Sequence, residues 1–486
     1  MARYSDSASP DEAILIETDD FALVYDRRNR AFRKKLWNSS TKSWTTKVAP
    51  YSALVAKDGS TVWAEDASGK TIASGEAGVD DASVIQSAVN IIADAGGGQI
   101  LLKSGLYILT DSIKLTTPII FSGEGLGTIL KMADGVGEIP VISIESNNVV
   151  IRDLLIDGNR VNRPEPTSVP SPASGILAHW KNPAVEDVRI VNVYVKNAPY
   201  DGININGWRV MHFYCIVENC GDDGFNSQGG GYHTYIGCVA RNMIHDGFHL
   251  SNGEKGIVIG CEAYDNGGSG LETLHERILI VSSRFVGNHA HGISIYGDYA
   301  IIVANECYNC GMPGVSTGYG IIIKGNNALV ANNFVADCTG GGIRIEGDEV
   351  RVIGNTVRYF NTDMEQDYAI GITADASNTL IKDNDVTNGG MDIISDEGTN
   401  TIIQNNIGYA TENSGTATFS GDGTTTQFSI AHGLVKAPSK VLVTPMTADA
   451  ASDFYVTADD TNIYINYKSA PPSGTDNLKF SWYAEV

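Results

Sequence analysis

Eight of the nine histidines in this chain fall between His179 and His291, and carboxylates crowd the same stretch. Six histidines (His179, His245, His249, His275, His289 and His291) and the acids Asp201, Asp222, Asp223, Asp246, Glu272 and Glu276 recur at intervals near 22 residues. Acids stacked at one spacing raise one another's pKa, which is one way to hold a general acid ready at neutral pH. The chemistry such a set suits is proton transfer to and from a bound substrate.

The spacing belongs to a repeat. Gly202, Gly224, Gly247, Gly270, Gly292, Gly320, Gly342, Gly371 and Gly390 each open a short strand, from GININ through GFHLS and GLETL to GMDII. The residue after each glycine is apolar (Ile203, Phe225, Phe248, Leu271 and so on), and the next is mostly polar (Asn204, Asn226, His249, Glu272). That alternation is a half-buried strand, and a strand every 22 or so residues is a parallel β-helix. Small residues nine positions before the glycines (Cys215, Cys238, Cys261, Ser283, Asn333) suit an interior bend. Successive turns then stack about 4.8 Å apart, so one position makes a ladder along the solenoid.

The expected architecture is all-β, a right-handed parallel β-helix of about ten turns over residues 79–412. A basic attachment region precedes it at 1–48, with eight Lys or Arg between Arg27 and Lys47 and no carboxylate there. A small β module follows at 49–78. An amphipathic helix then caps the solenoid, with Val84, Ile85, Ala88, Val89 and Ile92 on one face, an Asp at its start and Gly96–Gly98 at its end. Short alternating strands with Gly, Pro and Asp turns at 415–486 read as an antiparallel β-sandwich.

The net charge of −23 disfavours nucleic acid and acidic membrane surfaces as partners. No run of 18 apolar residues predicts a membrane span, and the N-terminus carries no basic-then-apolar leader. Seven cysteines in repeating positions read as buried small hydrophobes rather than a disulfide framework or a zinc site, Cys307 and Cys310 included. No metal is assigned and no cofactor is required, although an Asp/Asn-rich ladder admits Ca²⁺.

The segments DDASVIQSAVNIIADAGGGQILLKSGLYIL, FSGEGLGTILKMADG and IRDLLIDGNRVNR resemble the pectate-lyase-like β-helix superfamily and, within it, the mannuronan epimerase catalytic modules, over roughly residues 78–290. Those modules carry a YGFDPH strand; here the matching stretch is YDGININ. Their Asp and His positions fall on Asn204 and Asn206, their next-turn Asp on Gln228, and their Tyr on Asp201, beside Tyr200. Amides neither abstract nor donate the protons that such chemistry needs. The chain is also similar to polygalacturonase-type hydrolases, whose NTDG, DD and GHG motifs correspond to Asp201, to Asp222 with Asp223, and to His245. That resemblance implies an inverting hydrolysis with the aspartates as acid and base. The family's Arg-Ile-Lys strand has only a distant counterpart, Gly342–Glu346, with Glu346 in place of the lysine.

These readings assign Asp201, Asp222, Asp223 and His245 to catalysis. Tyr200, Asn204, Asn226, Asp246, His249, Glu272, His275 and Arg277 are assigned to substrate binding, with Trp208, Tyr232 and Tyr296 as further stacking surfaces. Residues 49–78 look like the segment preceding such solenoids in phage and archaeal-virus tail proteins. The expectation is a tailspike-like, virion-tail or extracellular protein, homotrimeric, attached to a tail or baseplate through residues 1–48, that binds and cleaves a polysaccharide. The alternatives are a glycan adhesin that does not cut, and an epimerase or lyase with altered catalytic residues.

Overall fold

The computed structural model describes residues 51–178, 184–251, 253–312, 318–360, 367–390 and 392–486, together with the backbone of four earlier strands. Those four, Glu12–Glu17, Phe21–Asp26, Ala31–Asn38 and Ser43–Thr45, pair antiparallel in sequence order. His179 lies outside the described residues. The described chain is nearly all β, a parallel β-solenoid of about 13 turns followed by a pair of antiparallel sheets. It divides into two compact units, residues 1–222 with 226–230, and residues 223–225 with 231–486.

In the first unit the strands Ala53–Asp58, Thr61–Asp66 and Thr71–Glu76 form an antiparallel meander. The first of them also pairs in parallel with Gly98–Leu102, so the expected small module continues into the solenoid's own sheet. The helix Asp81–Asp94 buries Val84, Ile85, Ala88, Val89 and Ile92 as its apolar periodicity requires. Asp80 makes no side-chain cap; its carboxylate accepts the Glu76 N–H instead. Asp81 is the buried anchor, accepting the Gly78 and Ile108 N–H groups and pairing with Lys57 at 2.8 Å. The strands Ile113–Leu115, Ile142–Ile144, Ile176–Ala178 and Ile203–Ile205 then stack in parallel register. The first two lack an opening glycine and the third has Gly175, so the regular glycine repeat undercounts the turns.

In the second unit each regular turn contributes three short strands, such as Leu271–Thr273, Leu279–Val281 and Arg284–Val286. The repeat glycines have a steric cause. A Cβ on Gly247 would stand 2.7 Å from the Gly270 carbonyl oxygen; Gly270 meets Gly292 at 2.7 Å and Gly292 meets Gly320 at 2.5 Å. Only glycine admits so close an approach. Gly371 breaks the pattern: Ile343 pairs with Ile370, so Ala369 takes the glycine position and Gly371 the outward one. Gly371 is needed because the Tyr368 ring would lie 2.3 Å from its Cβ.

Beneath the sheet, Ser283, Asn305, Asn333, Asn355, Asn384 and Asn406 form a buried ladder. Each Asn side chain accepts the backbone N–H of the preceding member, and from Asn305 onward each donates to the next amide at 2.9–3.0 Å. All seven cysteines are buried and free.

The turns bend through residues in the left-handed region. One corner column of the second unit reads Asn242, Asp265, Gly287, Asn309 and Asp337, as backbone sterics favour. A second reads Tyr232, Lys255, Arg277 and Tyr299 before returning to Asn327, Glu349, Asn378 and Asn400. Left-handed backbone costs a residue other than Gly, Asn or Asp roughly 1–2 kcal/mol.

The last strands form sheets Glu412–Gly421, Gly474–Glu485, Lys440–Pro445 and Gln427–Ala431, Asn462–Tyr467, Phe454–Ala458. Their facing side chains, including Phe428, Ile463, Leu478, Phe480 and Trp482, enclose a separate core.

Candidate functional site

The register of the second unit puts His249 on strand Phe248–Ser251 directly against Glu272 on Leu271–Thr273, with Ser294 next. One residue before each strand glycine lies a second column: Asp223, Asp246, Ser269, His291 and Tyr319. Each glycine N–H donates to the carbonyl of the following member, as Gly224 does to Asp246 and Gly247 to Ser269. Phe225 and Phe248 stack at 4.8 Å under this face, with Tyr235 edge-on to both, and hold the strands from below.

Asp223 and Asp246 are almost fully buried, with side chains 4% and 6% exposed. Asp223 accepts the Asp246 N–H at 3.0 Å, and Asp246 accepts the Ser269 N–H at 2.6 Å. Their second oxygens converge on His249, whose Nδ1 lies 3.2 Å from Asp246 and 3.7 Å from Asp223. Burial by itself would lower the His249 pKa. The Asp246 hydrogen bond and the charges of Asp223, Asp246 and Glu272 outweigh it and push it up to about 9. His249 is therefore an imidazolium at neutral pH. Glu272 moves up from the usual carboxyl range because of burial and then the Asp246 charge, against the opposing pull of His249 and Lys324. His245 is mostly exposed, its Nδ1 3.4 Å from Asp223.

A proton donor and buried acceptor carboxylates thus stand within one turn spacing of one another. Asp223, Asp246 and His249 also offer ligand atoms within 4.8 Å, a grouping that could hold a divalent cation. An imidazole nitrogen in the set suits a transition metal better than Ca²⁺, which takes oxygen ligands.

The remaining sequence-derived site residues are placed unevenly. Asp201 and Asn204 lie in the first unit, both buried and bonded to each other at 2.6 Å, so Asn204 does not project outward. Tyr200 and Asp222 are half-buried in the same unit, and Asn226 is buried. His275 is buried at 0% exposure and pushed down to about 3 by burial and then by His233, so it offers no open face to a glycan. Arg277 is exposed at a left-handed corner, above the Tyr299 ring. Tyr232 and Tyr296 are exposed and Trp208 is half-buried.

A second cluster escapes columns that begin at the glycine. His291 and Tyr319 stack at 5.5 Å, Tyr319 and Tyr368 at 6.3 Å, and Arg344 donates to both tyrosine hydroxyls at 3.2 and 3.1 Å. Reading one residue before Gly292 and Gly320 would have found its first two members. Lys324 lies 4.1 Å over the Tyr296 ring on the same edge.

The stacked parallel turns and this outward face define a right-handed parallel β-helix. Residues 174–316 and 273–441, together more than half of the chain, match the family described as right handed beta helix region, and the chain belongs to that family. No curated protein matches it. Among solved structures it is similar to the A-module of the Azotobacter vinelandii mannuronan C-5 epimerase AlgE6. The identity is 22% over 68% of this chain and 96% of that one, with a TM-score of 0.58. The AlgE4 A-module of the same organism gives 20% identity over 68% and 97%, with a TM-score of 0.54. The Dettilon tailspike protein gives 12% over 83% and 90%, with a TM-score of 0.42. At these identities the likeness is one of fold. Among the described residues no helix is long and apolar enough to cross a membrane.

Proposed function

We propose that this protein acts on a polysaccharide, laying an extended glycan along the outward sheet face and hydrolysing it at Asp223, Asp246, His249 and Glu272. The observation that carries this reading is an imidazolium held between two shielded carboxylates, beside a carboxyl whose pKa is raised. Glycoside hydrolysis needs one carboxyl that delivers a proton to the leaving oxygen and one that activates water or attacks the sugar. Glu272 suits the first role. Asp246, with Asp223 behind it, suits the second, and His249 orients both. His245 stands at the open side of Asp223. Compared with the set Asp201, Asp222, Asp223 and His245, this reading moves the centre one turn along, because Asp201 is buried and engaged by Asn204. The carbohydrate-active proteins and tailspikes among similar folds fit the reading.

Incubation with capsular and surface polysaccharides, followed by sizing of the products, tests it. Shortened chains without a new unsaturated chromophore support hydrolysis; a chromophore means a lyase, and unshortened chains overturn cleavage. Asp246→Asn that leaves cleavage intact would show that the site is misplaced.

One observation favours a second reading, a glycan adhesin that does not cut. Asp223 and Asp246 each commit one oxygen to a backbone N–H of the next turn, a structural duty sufficient to keep them. Unshortened chains with measurable binding would select it. The proposal includes a homotrimer in a virion-tail or extracellular setting, attached through residues 1–48. A monomer mass by light scattering removes the trimer.

A further inference from the structure

We infer that Asp223, Asp246 and His249 form a site for one divalent transition-metal ion, and that the ion, when bound, shuts the acid–base centre. The inference rests on the placement of that centre above and adds its regulation. The three ligand atoms converge from two adjacent turns of the second unit. His249 Nδ1 lies 3.2 Å from Asp246 Oδ2 and 3.7 Å from Asp223 Oδ2. A four-coordinate ion with bonds of about 2.0–2.1 Å holds its ligand atoms about 3.4 Å apart, which these spacings bracket. The other oxygen of each carboxylate is already committed. Asp223 Oδ1 accepts the Asp246 N–H and Asp246 Oδ1 accepts the Ser269 N–H. Those bonds turn both Oδ2 atoms toward the imidazole, as an outer shell orients metal ligands. His245 stands ready as a fourth ligand from the open side: its Nδ1 lies 4.0 Å from Asp246 Oδ2, on a side chain 62% exposed.

Charge points to the same occupant independently of spacing. The Asp223 and Asp246 side chains are only 4% and 6% exposed. Charges taken out of water persist where they are paired or hold a metal. Among the described residues no Lys or Arg lies within ion-pair distance of Asp246. His249 as an imidazolium balances one of the two negative charges, and Glu272 on the adjacent strand adds a further carboxyl. A dication balances both. In the exchange, His249 Nδ1–H gives its proton to solvent, and the freed lone pair binds the ion together with the two Oδ2 atoms. The set is confined to this place, because Ser294 follows Glu272 on the next strand. An imidazole ligand and short spacings select Zn²⁺ or Co²⁺ over Ca²⁺, which takes more oxygens at longer bonds. The ion would occupy the Asp246 oxygen and the His249 nitrogen that hydrolysis needs, so bound metal and proton transfer exclude each other.

The test uses the full chain, stripped of metal by a chelator and dialysed, without substrate. Calorimetry with Zn²⁺ and with Ca²⁺, and the visible spectrum of added Co²⁺, read binding. The expected result is one Zn²⁺ per chain, held at least about 10²-fold more tightly than Ca²⁺, with the intense Co²⁺ bands of a four-coordinate site. NMR of the wild type should show the His249 ring signals shifted by Zn²⁺ while those of His291 stay. The double variant Asp246→Asn, His249→Gln should lose about 10²-fold or more in Zn²⁺ affinity, and with it the rise in Tm that Zn²⁺ gives the wild type. Absence of Zn²⁺ binding, equal binding of Zn²⁺ and Ca²⁺, an unmoved His249 in the wild type, or unchanged Zn²⁺ affinity in a folded variant each overturn the site. Cleavage that persists at saturating Zn²⁺ overturns the shutting of the centre. Binding is read without substrate, so failure of the metal site and failure of the hydrolytic reading are distinguishable.

Discussion

Asp246 and Tyr319 hold the same position in their turns, one residue before a strand glycine, yet their surroundings are opposite. Around Asp246 the face carries Asp223, His249 and Glu272, and His249 is pushed up to about 9. Around Tyr319 it carries His291, Tyr368 and Arg344; burial, then Lys324, pushes His291 down to about 4, against smaller pulls from Asp246 and Glu346. In both places the strand glycine faces the carbonyl of the following turn, Gly247 at 2.7 Å and Gly320 at 2.9 Å from where its Cβ would stand. Charge state on this scaffold is therefore set by which side chains share a column, not by the fold. The early turns gather carboxylates around one raised histidine; the later turns line the face with rings, the Arg344–Glu346 ion pair and Lys324.

The sharpest break comes from Asp246→Asn. Cleavage should fall by about 10²-fold or more, the usual scale for loss of acid–base catalysis, while Tyr319→Phe leaves it within a few-fold. A reducing-end assay reads both. In the same variant the His249 titration should move down, because the hydrogen bond that raises it is gone. NMR titration of the wild type should place His249 near 9 and His291 near 4.

The two histidines also act oppositely on stability. The His249 contribution is complete below the ordinary value of 6.5 and is lost as pH rises through about 9. The His291 contribution is complete above 6.5 and is lost as pH falls through about 4. Unfolding followed against pH should show these two slopes of opposite sign, flattened for His249 by its partial exposure.

Smaller effects lie in the shared interior. Asn333→Ala removes an acceptor for the Asn305 backbone and side-chain N–H and strips the Ile302 carbonyl of its donor, at a cost of about 3 kcal/mol. It should leave both histidine titrations in place. Tyr368→Phe deletes the hydroxyl that Arg344 and Tyr319 both engage and should cost about 1–2 kcal/mol in denaturant unfolding.

The inward Ile, Leu and Phe and the glycine opening each strand made the solenoid legible, because period-two alternation and tight stacking both leave marks in sequence. Ser283 and Asn333 hinted at the interior ladder, but Asn305 was hidden by the long turn before Gly320. Gly371 misled the register: sequence displays a glycine without its reason, and this one clears a ring rather than a carbonyl. Asp223, Asp246 and His249 were visible as candidates. Their convergence was not, since it depends on which oxygen turns to the backbone and which to the imidazole. His275 looked like an outward ligand and is interior because it follows the strand rather than lying within it.

The glycine column also gives the molecule a direction in how it bears damage. From Gly224 to Gly292 the missing Cβ of each strand-opening glycine points at the carbonyl of the following turn, whereas Gly267 and Gly268 point back at the Ile244 carbonyl and the Asp246 carboxylate. An alanine at Gly224 would press on the Gly247 turn, which carries Asp246 and His249, whereas an alanine at Gly270 would press on Gly292 and spare them. Tolerance to change is therefore one-way only within the strand-opening column; just after the acid cluster, an alanine at Gly268 would press straight back on the Asp246 carboxylate.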